Sequence, residues 1–78
     1  MIYRDNNIGA CCRAWREDKN IKVNDMADFC ECRPQNITAF ERGEILSGRL
    51  ILAYVKKGLV ILTYEDDLYI CEDISSFY

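Results

Sequence analysis

The stretch from Asp25 to Gly43 constrains this chain more than any other. Val23, Met26, Ala27 and Cys30 recur at i, i+3, i+4 and i+7, so their side chains share one apolar stripe of a helix. Further along, Pro34 brings the fixed φ and missing N–H that suit the first position of a second helix, and Gly43 can take the left-handed conformation that ends one. Between those marks the spacing predicts a helix of about two and a half turns. Ile37 and Phe40, three apart, form its inner face. Arg33, Gln35, Asn36 and Thr38 fall mostly on the outer side. With Glu31-Cys32-Arg33 as a tight corner, the pair reads as a helix-turn-helix.

The flanking residues complete a helical head. Asn6 or Asn7 can cap a first helix in which Ile8, Cys11, Cys12 and Trp15 repeat the same spacing, which makes Trp15 a core residue. Arg13 and Arg16 sit off that stripe and read as a solvated face. Ile21 returns the chain to the core, and Asn24 or Lys22 starts the second helix without a capping box. After the linker Gly43-Glu44-Ile45-Leu46, Ser47 caps a fourth helix from Gly48 to Lys57, with Leu50, Ile51, Tyr54 and Val55 over a wide apolar arc. Lys56 and Lys57 oppose the negative end of its dipole, and Gly58 stops it.

Beyond Gly58 the pattern changes. Leu59 to Tyr64 and Leu68 to Cys71 are β-branched and aromatic runs separated by the polar break Glu65-Asp66-Asp67, which predicts a β-hairpin. A hairpin alone is marginal in water, and both faces of this one are apolar. It is therefore expected to pack on the head and on a second copy of itself, with Ile74, Phe77 and Tyr78 on the same surface. Residues 1 to 5 read as an extended lead-in. The expected organisation is a helical domain over residues 1–58 and a hairpin with tail, the dimerisation element, over 59–78.

From about Ile8 to Leu59 the chain resembles the Xre or phage-repressor (Cro/C1-type) helix-turn-helix family. The resemblance rests on Trp15-Arg16, Ile21, Met26-Ala27, Ile37 and above all Phe40-Glu41-Arg42-Gly43, which closes the third helix as family members do. It departs at Glu31, where the family usually has Gly, at Lys22-Val23 in place of a Thr cap and a phosphate-clamping Gln, and at Ala39 in place of a base reader. The resemblance implies a mainly α, lambda-repressor-like four-helix domain whose third helix enters the major groove of an operator. Gln35 matches a base-reading position, and a Gln amide can pair bidentately with adenine. Asn36 and Thr38 are candidates for base or phosphate, Arg33 for phosphate or guanine, and Glu41 is expected to point back into the domain. A homodimer on an inverted repeat of duplex DNA would make a transcriptional regulator of phage or mobile-element type.

Charge leaves a second class open. The net charge is −3, but all ten Lys and Arg lie in residues 1–58, which carry net +2, while 59–78 hold five acids and no base. A mildly basic head suits DNA if the acidic tail faces away, and it also suits a protein partner. Small phage proteins similar to this family include inhibitors of host nucleases and transcription, an anti-host or anti-CRISPR role in which the tail carboxylates would imitate phosphates. Catalysis is not expected, because there is no His, no Gly-rich phosphate loop and no nucleophile motif. The five cysteines lack paired C-x-x-C spacing and read as small apolar side chains, so no cofactor or metal is expected. With no membrane-length apolar run and no signal-peptide pattern at Met1 to Asn6, the expected location is the cytoplasm.

Overall fold

The computed structural model describes residues 2–65 and 68–73. Four helices and a small antiparallel sheet follow in the order β1 (Ile2–Asp5), α1 (Ile8–Asp18), α2 (Val23–Cys30), α3 (Pro34–Glu41), α4 (Gly48–Lys57), β2 (Leu59–Glu65) and β3 (Leu68–Asp73). Asp66, Asp67, Ile74, Phe77 and Tyr78, expected in the turn and on the dimer surface, lie outside the described residues.

Each helix boundary has a local chemical cause. Asn7 caps α1 by accepting from the Gly9 N–H at 2.9 Å, and Ser47 caps α4 by accepting from Leu50 N–H at 3.3 Å. α2 starts after Lys22 and α3 after Arg33, both without a side-chain cap, and Pro34 holds the first position of α3. At the end of α3, Gly43 sits at φ 82°, with Gly43 N–H on Phe40 O and Glu44 N–H on Ala39 O. That pair of bonds is a Schellman closure. α2 ends in the same way, with Cys32 N–H on Ala27 O, but the left-handed position belongs to Glu31 at φ 56°. A side chain there costs roughly 1–2 kcal/mol that glycine would avoid.

The sheet has the order β1-β3-β2, so the last strand in sequence is the middle one in space. β3 pairs antiparallel with both neighbours, Cys71 standing opposite Tyr3 on one side and Ile61 on the other. A bulge between Ile61 and Thr63 interrupts the β2 ladder. The expected hairpin is thus two thirds of a sheet whose third strand comes from the lead-in. Pairing along a second edge supplies backbone partners that a lone hairpin would leave to water.

One core joins all of these elements. Trp15, Tyr54, Phe40, Met26 and Ile37 are its largest members, and Tyr3, Leu59 and Cys71 bring in the three strands. The Trp15 and Tyr54 rings meet edge to face at 6.0 Å. α1 and α3 approach so closely that a Cβ on Gly9 would stand 2.0 Å from Phe40 O. Tyr3 Oη donates to Asp18 Oδ2 at 2.8 Å and fastens β1 to the end of α1.

One sequence expectation is overturned inside this core. Arg16 is not on a solvated face: it is 7 % exposed and forms a fork with Glu41, itself 6 % exposed. Arg16 Nε donates to Glu41 Oε2 at 2.8 Å and Nη2 to Oε1 at 3.0 Å, while Nη1 donates to Ile21 O at 2.7 Å. Tyr54 Oη donates to the same Glu41 Oε2. The spacing carried the signal, since Arg16 follows Cys12 by four and lies on the same side of α1. Arg13, by contrast, is exposed as expected and pairs with Glu17 one turn on at 2.6 Å.

Candidate nucleic-acid interface

The outer side of α3 carries the residues singled out by sequence. Arg33, Gln35 and Asn36 are exposed around its first turn, and Ile37 and Phe40 are buried beneath them. Thr38 is half-buried, and its hydroxyl donates to Pro34 O at 3.3 Å, which leaves its lone pairs as the outward-facing capability. α3 rests on α1 and α2, while the sheet rests mainly on α1 and α4. Glu41 turns inward, as the sequence reading expected, and holds the inner end of the helix through Arg16 and Tyr54.

Beside this row lies a cleft between α1, the start of α2 and α3. Arg13, Val23, Thr38 and Arg42 line it, with the Arg16–Glu41 pair at its floor. Among the described residues, Arg33 and Arg42 form no ion pair, so their charges are uncommitted. Sequence reasoning treated Arg42 only as part of the motif closing α3. Its placement on the cleft depends on how α1 crosses α3, which no local pattern encodes.

The electrostatics of the interior are settled separately from this surface. The hydrogen bonds from Arg16 to Glu41 raise the guanidinium pKa further, so the cation is permanent. Burial, reinforced by Glu41, pushes the Tyr54 phenol far up. Burial likewise pushes Cys12 up, and Cys71 up to about 12. These thiols are neutral at physiological pH and therefore poor nucleophiles. Among the described residues, no three Cys, Asp or Glu side chains gather as a metal-ligand set, and none of the helices is long and apolar enough to cross a membrane.

Comparison with protein-family models, curated proteins and solved structures finds no match for this chain.

Proposed function

We propose that the chain is a sequence-specific DNA-binding regulator of the helix-turn-helix kind, acting as a homodimer on a short inverted repeat. The observation that carries the reading is the composition and placement of α3. It is eight residues long, about 12 Å at 1.5 Å per residue, and a helix about 10–12 Å across with its side chains fits a major groove about 12 Å wide. Its exposed row of Arg33, Gln35 and Asn36 is unencumbered, and a buried ion pair fixes its opposite side. Gln35 is assigned to a base edge, and Asn36 and Thr38 to base or phosphate. Arg33 is assigned to phosphate or guanine.

Three further features support the reading. The segments that carry the family resemblance, Trp15-Arg16 and Phe40-Glu41, are the two joined by the Arg16–Glu41 fork. α2 and α3 lack side-chain caps whereas α1 and α4 have them; with no N–H on Pro34 and the Asn36 N–H on Arg33 O, the first turn of α2 and the Gln35 N–H of α3 are left for phosphate oxygens. The strands of the acidic tail lie in a sheet that packs mainly on α1 and α4 rather than on α2 or α3.

The test is selection from a pool of random duplexes across a salt series. An enriched repeat, a steep fall of affinity with salt, and loss of the enriched sequence in Gln35→Ala support the proposal. The alternative is an inhibitor of a host protein built on the same scaffold, favoured by the overall negative charge. Retention of no duplex at low salt selects that alternative. In neither reading is the chain an enzyme.

A further inference from the structure

A second surface, away from the outer row of α3, carries apolar side chains that the fold leaves uncovered. Phe29 near the end of α2 is 42 % exposed, and Leu52 and Val55 on α4 are 52 % and 39 % exposed. Between the two helices runs a groove bordered by Phe29, Glu31, Leu52, Ala53 and Lys56. Phe29 is held at this surface by Lys57, whose Nζ lies 4.5 Å from the ring centroid. Arg49 Nη2 donates to Cys30 O at 2.6 Å, which ties the start of α4 to the end of α2 and fixes the groove's width.

The charges around this centre are divided by helix. α2 exposes Asp25 and Asp28 beside Phe29, with Glu31 at its end, whereas α4 exposes Lys56, its neighbour Lys57 already lying over the Phe29 ring. None of Asp25, Asp28, Glu31 and Lys56 forms an ion pair with another described residue. A patch that is apolar in the middle, acidic on one flank and basic on the other is complementary to itself. A two-fold axis running along the groove lays the acidic flank of one copy on the basic flank of the other, and does so twice.

We infer that the α2–α4 face is the seat of a second copy of this chain, with Phe29 and Leu52 at the centre and Lys56 of each copy facing the Asp25–Asp28 flank of its partner. This places the dimer contact on the helices rather than on the hairpin. On β2 the bulge at Ile61/Thr63 breaks the regular ladder that an edge-to-edge pairing of sheets needs. The inference does not rest on the DNA reading, because Gln35 takes no part in it.

Sedimentation velocity over a concentration series tests it with the full chain. The unaltered protein is expected to dimerise, more weakly as salt is raised. Lys56→Glu, and separately Asp25→Lys with Asp28→Lys, should each weaken self-association by roughly tenfold or more, since the two-fold repeats every reversed contact. Mixing the two variants should restore the dimer as a heterodimer. All these residues are exposed, and circular dichroism checks the fold. Should the paired Asp variant fail to fold, Leu52→Lys takes its place and is expected to give a monomer. A chain that stays monomeric at every concentration overturns the inference. So does a dimer that survives these changes and is broken by Ile61→Lys on β2. Sedimentation is run without DNA, so its outcome and that of duplex selection with the unaltered chain are read separately.

Discussion

Removing the Glu41 carboxylate should be among the most damaging single changes this fold can suffer. In Glu41→Ala, Arg16 keeps only Ile21 O from its three bonds, and the Tyr54 hydroxyl loses its acceptor. Both groups are almost wholly buried, so water does not replace what is lost. Deleting one member of a buried ion pair costs about 3–5 kcal/mol, and an orphaned hydroxyl about 1–3 kcal/mol in its own right. The two share one carboxylate oxygen, so the expected loss is about 4 kcal/mol rather than their sum. At about 0.05–0.15 kcal/mol per residue, a chain of 78 residues has a total stability of roughly 4–12 kcal/mol. The loss is therefore about a third of the total or more, and at the lower end of that range it leaves the variant partly unfolded at room temperature. Urea titration followed by Trp15 fluorescence reads this directly, since the indole packs 6.0 Å from the Tyr54 ring. The compensated variant Arg16→Met, Glu41→Leu, Tyr54→Phe should fall within about 1 kcal/mol of the parent or exceed it, because it leaves no charge uncompensated. A loss under about 1 kcal/mol in Glu41→Ala, or a compensated variant as unstable as the single one, refutes the argument.

Three other outcomes follow from the packing. Gly9→Ala should cost at least about 3 kcal/mol by thermal melt, because its Cβ cannot fit 2.0 Å from Phe40 O, whereas Gly48→Ala, with open space around it, should change stability by less than about 1 kcal/mol. Stability should fall as pH rises past the ordinary thiol value of 9.0, because the unfolded chain then releases protons that Cys71 keeps until about 12. Below that range the contribution is constant, and within it the unfolding free energy from urea titration should drop by about 1.4 kcal/mol per pH unit for each such thiol, a slope that Cys71→Val reduces. Trp15→Phe should cost under about 1.5 kcal/mol despite the lost volume, against about 3–5 for Trp15→Ala, because Trp15 Nε1 is buried without an acceptor among the described residues. Equal losses in the two Trp15 variants contradict that reading.

The helices were legible because their stop signals are local. Ser47, Gly58 and the Lys56-Lys57 pair gave α4 its observed limits of Gly48 and Lys57, and Pro34 with Gly43 framed α3. The sheet was half legible. The runs after Gly58 announced β2 and β3, but Ile2 to Asp5 is too short to declare a strand until β3 offers it an edge. Arg16 was misread because charge was weighed as a surface property before a partner 25 residues away was known. The outer row of α3 was visible from its spacing. The self-complementary charge on α2 and α4 was not, since it depends on how two helices far apart in sequence are set side by side.

The strand order has a consequence for how the molecule is made. Because the central position of the sheet is filled by Leu68–Asp73, β1 and β2 have no partner during synthesis until that segment has cleared the ribosome. The helices can gather earlier, around Trp15 and Phe40, but Tyr3 and Leu59 wait beside a gap that Cys71 later fills. A nascent chain halted before residue 68 would expose two bare strand edges, a state that invites capture by chaperones or by a neighbouring chain.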